Sequence, residues 1–491
     1  MNNEMANCVM YAFNKNNSEI LRGITMERKN VWEKYDKKQL KAVNALSDAY
    51  RDFLDKGKTE RECIDQIVNR IEKCGYMELE ELIKENKTLQ AGDRVYSVCM
   101  NKSIVMYQIG KRPMVEGLNI LGAHIDSPRL DVKQNPLYED GGVAYLDTHY
   151  YGGVKKYQWV TLPLALHGVI VKKDGTTVEV NIGEDEDDPV FFVSDLLIHL
   201  AAEQLEKKAA KVIEGEALDI VVGNMPIVNK DKEKEEKEAV KKNVLQILKD
   251  MYDVEEEDFL SAEIEVVPAG KAREAGFDRS LVLAYGHDDR VCAFTSLEAM
   301  LEVDAPERTT CCILVDKEEI GSVGATGMQS RFFANTVAEV LNLTGNYSEL
   351  NVRRCLANSY MLSSDVSAAY DPSYAGSFDK KNAAFLGQGM VFNKFTGARG
   401  KSGSNDANPE YMAHIRNILD EESICFQTAE LGKVDVGGGG TIAYILALYG
   451  MNVIDSGIAV MSMHAPWEAI SKADLYETKR GYVAFLEKAC L

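Results

Sequence analysis

Five apolar stretches of this chain each run straight into side chains that can bind a metal ion. "LGAHID" ends in His124 and Asp126, and "LAYGHDD" in His287, Asp288 and Asp289. "ILVDKEE" ends in Asp316, Glu318 and Glu319, "MLSSD" in Asp365, and "GIAVMSMH" in His464. A single strand-end histidine is ordinarily structural, so the five ends carry weight only as a set. From about residue 281 onward, strand-like and helix-like segments alternate. That alternation predicts an α/β fold with a mixed, largely parallel sheet flanked by helices. In such sheets, functional groups gather beyond the carboxyl ends of the strands. Burying so many carboxylates together without a cation is very unfavourable. The pattern therefore predicts bound metal.

A charge count supports this. If His124, Asp288, Glu319, Asp365 and His464 are the ligands, two imidazoles and three carboxylates suit two divalent ions, provided that one carboxylate bridges. Three carboxylates and one hydroxide then neutralise the pair. Mixed nitrogen and oxygen ligands without thiolate point to zinc first, then cobalt or manganese. Two ions roughly 3.5–4 Å apart activate water and polarise a carbonyl. The adjacent Glu318 and Glu319 would point to opposite faces of an extended segment and so do different work. Asp126, two residues from His124, would share its face and fix the imidazole. Asp316 reads as structural, and His287 as a wall or surface residue. Asp289 competes with Asp288 for the bridging place, or pairs locally with Arg290.

The rest of the chain sets the frame. Residues 28–91 read as helical, from charged and apolar residues interleaved at helical spacing. A Gly-punctuated, β-rich stretch follows "LNILGAHID" and reads as an insert near 131–265. Residues 1–130 and 266–491 then form the catalytic domain. The run "NKDKEKEEKEAVKKN" (229–243) reads as an exposed loop or helix start. Ten scattered cysteines without a CxxC pair suit reduced thiols in a cytoplasm. No run reaches the ~18 apolar residues of a membrane span. The first residues lack the basic start and apolar stretch of a signal peptide. A net charge of -21 argues against nucleic-acid and anionic-membrane partners.

"GAHIDSPRL", "GHDDRVCAF", "DKEEIGS", "SSDVSAAYDP" and "SMHAP" together resemble the M18 metalloaminopeptidases. The resemblance runs over nearly the whole chain. It implies that His124, Asp288 and Asp365 hold one ion, and that Asp288 bridges to a second held by Glu319 and His464. It favours Asp288 over Asp289, makes Glu318 the general base and makes Asp126 the orienter of His124. It further implies peptide substrates, an inserted dimerisation domain, and homo-oligomers in which dimers assemble into a tetrahedral dodecamer.

Substrate choice stays open. Many relatives prefer an N-terminal Asp or Glu, and "GMVFNKFTG" places Lys394 where the family carries a substrate-binding lysine. Against that, "VDVGGGGTIAYI" replaces the loop expected of the acid-preferring enzymes. Its glycines either shape the substrate pocket or cap a helix. A preference for neutral residues such as Leu is the rival. His149, His167 and His199 are candidates for a histidine lent to a neighbouring active site. A metal-dependent deacylase of small amides and a non-catalytic metal-assembled scaffold are the readings from other classes.

Overall fold

The computed structural model describes residues 29–227 and 237–490. The signal-peptide reading, and the part of the charged run up to residue 236, lie outside the described residues.

Two capped helices open the described chain, Lys37–Lys56 and Glu60–Lys73. At each, the N-cap side chain (Asp36 or Thr59) accepts the N3 amide, and the N3 side chain bonds back to the cap. Reciprocal pairing of this kind satisfies two otherwise orphaned donors.

The centre of the molecule is a nine-stranded sheet. Its four middle strands, Thr310–Val315, Asn119–His124, Tyr360–Ser364 and Asn452–Gly457, run parallel. Every residue of the first two is buried, as parallel strands covered on both faces require. Antiparallel strands Ser103–Gln108 and Met390–Asn393 flank this core. One face packs against the two opening helices and against His287–Glu302, Pro409–Glu421 and Lys472–Lys488, around Phe294, Leu297, Tyr482 and Phe485. The other packs against Phe332–Leu343, Glu349–Ala357 and the short helix Ala443–Ala447. The fold is therefore the expected α/β arrangement, a mixed, largely parallel sheet flanked by helices.

Two of the five metal-capable strand ends come from elsewhere. Strands Leu281–Ala284 and Ala459–Met461 belong to a separate five-stranded sheet with mostly antiparallel pairing. A short apolar run reads the same in either kind of sheet, so the alternation in sequence could not separate them.

A third sheet has seven strands, all paired antiparallel, drawn from residues between Arg129 and Pro268. Helix Ala239–Tyr252, which begins inside the charged run, packs on it over a core containing Trp159, Leu164, Phe259 and Val266.

Phe294 is fully buried, with ring centroids 5.2 Å from Tyr50 and 5.5 Å from Phe53. Truncating it to alanine should cost roughly 3–5 kcal/mol, read as a lowered denaturation midpoint.

Candidate metal centre

The five strand ends converge. His124 is the last residue of its strand, and Asp365 follows directly after Tyr360–Ser364. Asp288 lies in the first turn of helix His287–Glu302, joined to Asp289 by a cis peptide. His464 sits in a left-handed conformation (φ 64°) beyond Ala459–Met461. The carboxylate of Asp288 faces both imidazoles: Oδ1 is 3.3 Å from His124 Nε2, and Oδ2 is 3.2 Å from His464 Nε2. Glu319 Oε1 lies 3.5 Å from His464 Nε2. Donor atoms of His124, Asp288 and Asp365 come within 4.8 Å of one another, as do those of Asp288, Glu319 and His464.

These residues fit a pair of divalent cations. Glu319 Oε1 is buried without a hydrogen-bond partner. The cavity at the site, of about 500 Å³, is lined by Asp288, Glu318, Glu319, Asp365 and His464 and, among the described residues, by no lysine or arginine. Burial pushes the Glu319 and Asp365 carboxyls up, with neighbouring carboxylates adding to it. Burial opposes charge on His464, yet Asp288 and Glu319 lift the imidazole to about 10. His124 is likewise raised against its burial, by Asp126 and Asp288. The cluster thus draws positive charge to itself.

Glu318 and Glu319 do not point to opposite faces. They occupy a single 3-10 turn, Glu318–Ile320, entered through Lys317 at φ 70°, and both line the cavity. The expectation assumed an extended segment, but the strand ends at Val315. Glu318 Oε2 is 3.9 Å from His124 Nε2, and burial lifts its carboxyl to about 7, with His124 opposing.

Asp126 is fully buried beside His124, with Oδ1 3.2 Å from Nδ1. It accepts the Glu318 and Glu319 amides at 3.1 Å each and the Tyr151 hydroxyl at 2.9 Å. Asp316 accepts from the Thr326 hydroxyl. His287 is fully buried and is neither a wall of the cavity nor a surface residue. Its Nε2–H donates to the Val282 carbonyl and Nδ1 accepts from Tyr50, while burial pulls it down to about 4.

The other candidate residues lie in varied surroundings. Asp289 makes no local pair with Arg290. It accepts the His124 amide at 3.4 Å, whereas Arg290 donates to the carbonyls of Ile125 and Lys58. Lys394 pairs with Asp406 and does not line the cavity. His167 is buried between Glu62 and Glu184, so it is not free to reach a neighbouring site. His149 is exposed, and His199 lines a separate cavity formed by residues 194–217.

Other contributors carry no motif. Glu468 is a buried carboxylate that accepts the amides of Asp288 (3.0 Å) and His464 (2.7 Å). Its only signal is a glutamate four residues after His464 in an otherwise apolar turn. Gly457 lets its strand approach Asp365, since a Cβ there would lie 1.9 Å from the Asp365 carbonyl. Under the glycine loop, buried Asp455 accepts the Thr441 hydroxyl, and Gly438, Gly439, Gly440 and Thr441 all line the cavity.

A largely parallel α/β sheet with clustered imidazoles and carboxylates at one end marks a metal-dependent hydrolase. The description "Aminopeptidase I zinc metalloprotease (M18)" matches residues 53–486. The probable M18 family aminopeptidase 1 of Clostridium acetobutylicum is 63% identical over 460 residues, spanning 94% of this chain and 98% of that one. The crystal structure of an M18 family aminopeptidase from Thermotoga maritima shares the fold with a TM-score of 0.89 at 45% identity, covering 95% of this chain and all of that one. Aminopeptidase I from Clostridium acetobutylicum gives a TM-score of 0.87 at 60% identity, covering 94% and 100%. The chain therefore belongs to the M18 family of zinc metalloproteases and is a metal-dependent aminopeptidase.

Burial raises the Asp455 carboxyl to about 7, with the Thr441 hydroxyl opposing. In the unfolded chain it ionises near pH ~4. The folded state thus holds the proton more tightly, and stability falls as pH rises between those values. An Asp455→Asn variant keeps the Thr441 bond and escapes that loss. Its melting temperature relative to wild type should climb with pH and level off above about pH 8.

Proposed function

We propose that this aminopeptidase works with two divalent ions per subunit, zinc first, with cobalt or manganese as substitutes. The supporting observation is that one carboxylate, Asp288, turns an oxygen to each imidazole. In this reading His124, Asp288 and Asp365 hold one ion, and Asp288, Glu319 and His464 hold the other. Bound ions lower the pKa of water and polarise a scissile carbonyl.

The protein's own residues do the rest. Glu318 removes a proton from the attacking water and returns it to the departing amine. Asp126 keeps the His124 ring in one tautomer. The peptide's free amine sits at the Asp288–Glu319–His464 end, which limits cleavage to the first residue.

A neutral N-terminal residue suits the cavity best. Its walls include Val366, Leu431, Tyr444 and Met463 beside the glycine loop, and Lys394 is tied to Asp406. An acidic preference is the alternative outcome of the test below.

Residues 131–265 are proposed to form the dimerisation domain. Leu197, Ile198, Leu200 and Leu205 are each more than half exposed there, an apolar surface of the kind that partners cover. Dimers assembling into a dodecamer follow from the resemblance, with exposed His149 or His199 available to a neighbour. No helix among the described residues is long and apolar enough to cross a membrane. The free cysteines support a cytoplasmic setting.

Glu318→Gln should retain zinc and assembly while losing turnover by roughly 10²–10⁴-fold; undiminished activity would remove the proposed base. Acetylating a peptide's N-terminus should block its cleavage, and equal rates for free and blocked peptides would favour a deacylase. Across Leu, Met, Lys, Asp and Glu anilides, Leu and Met should rank first, and Lys394→Ala should leave the Leu rate unchanged. Asp and Glu ranking first, with Lys394→Ala abolishing their turnover, would establish the acidic preference instead.

A further inference from the structure

Three consecutive residues of the "HYYGGVKKY" stretch touch the metal centre from outside the α/β unit. Tyr151 is the last residue of strand Val143–Tyr151 in the seven-stranded sheet, and Gly152 and Gly153 follow it. The Tyr151 hydroxyl donates to Asp126 Oδ2 at 2.9 Å, the oxygen that also accepts the Glu319 amide, while Oδ1 accepts the Glu318 amide. The Gly153 carbonyl accepts the Nδ1 proton of His464 at 2.9 Å. With Nδ1 protonated, Nε2 is left as the free donor atom facing Asp288 and Glu319. Gly152 sits at φ +76°, and a Cβ there would lie 3.2 Å from Glu319 Oε2 and 3.3 Å from Glu319 Cβ. A Cβ on Gly153 would lie 3.3 Å from His464 Nδ1. Two glycines thus let the backbone close onto Glu319 and His464 where any side chain would press on them.

The tyrosine is itself anchored. The Arg129 guanidinium lies 3.9 Å from the centroid of its ring. Arg129 is buried and held by Glu60 at 2.6 Å, Asp131 at 2.8 Å and Glu265 at 3.1 Å. Glu60 belongs to helix Glu60–Lys73, and Asp131 and Glu265 to the seven-stranded sheet. A continuous set of charged and aromatic contacts therefore runs from that sheet to Asp126.

We propose that Tyr151, Gly152 and Gly153 are the positioning element of the metal centre, holding Asp126, Glu319 and His464 in register from the seven-stranded sheet. This rests on the two-ion reading above. None of the three is itself a ligand. They act through the residues they touch, as partners behind metal ligands do, and loss of such a partner typically weakens metal binding ~10–100-fold.

The test is zinc titration of metal-free full-length protein against a chelating dye, with metal analysis for stoichiometry and the visible spectrum of the cobalt-loaded protein. Tyr151→Phe keeps the ring on Arg129 and removes only the hydroxyl. It should weaken zinc binding ~10–100-fold and alter the cobalt spectrum, while the metal-free protein melts as wild type does. Gly152→Ala should weaken one ion and spare the other. If both variants bind zinc as wild type does, the proposal is overturned. It is equally overturned if Tyr151→Phe lowers the melting temperature of the metal-free protein but leaves zinc affinity intact, since the role is then structural. A wild type that binds a single zinc defeats the two-ion reading. The positioning proposal is then decided by that one ion's affinity in Tyr151→Phe.

Discussion

The crowding of negative charge around Asp288 is the constraint on which the rest of the molecule depends. Glu318, Glu319 and Asp365 line the same cavity, Asp126 and Asp289 are buried beside it, and no lysine or arginine among the described residues lines it. Side-chain cations neutralise buried carboxylates elsewhere in the chain, as Arg129 does for Glu60 and Glu265. Here, among the described residues, two imidazoles are the basic groups in contact with Asp288. Such a cluster is costly unless a counter-charge enters. The fold around it serves to hold carboxylates where they would otherwise repel one another apart.

Two sheets share that task. The parallel strands supply His124, Asp365 and the turn carrying Glu318 and Glu319. The separate five-stranded sheet leads into Asp288 and His464. Glu468, on the same small sheet, ties the backbones of those two residues together. The centre is therefore a junction between two sheets rather than the edge of one. The relative placement of those sheets sets the distances between these side chains.

Much of this was legible in the sequence. Apolar runs ending in His, Asp or Glu mark the converging positions; three of those runs are parallel strands of the central sheet, covered on both faces, and they stop where polar groups begin. The α/β class followed from alternation alone. What the sequence hid has physical reasons. Glu318 and Glu319 share a face because a 3-10 turn, not a strand, carries them. Glu468 contributes by accepting two backbone amides and Tyr151 by donating one hydrogen bond to a carboxylate, and no spacing rule reports such bonds. Lys394 stands beside cavity-lining Asn393 in sequence, yet its side chain reaches Asp406, and that choice depends on a residue twelve positions away. Asp289 and Arg290 are neighbours that bury in different directions, so sequence adjacency misled.

Gly457 carries no chemistry, yet its missing side chain decides how near two strands may come at Asp365. The nearness of the chain at Asp365 and Gly457 is consequently written into peptide backbone rather than into adjustable rotamers. Exchanging the side chains around Asp365 would leave that nearness unchanged.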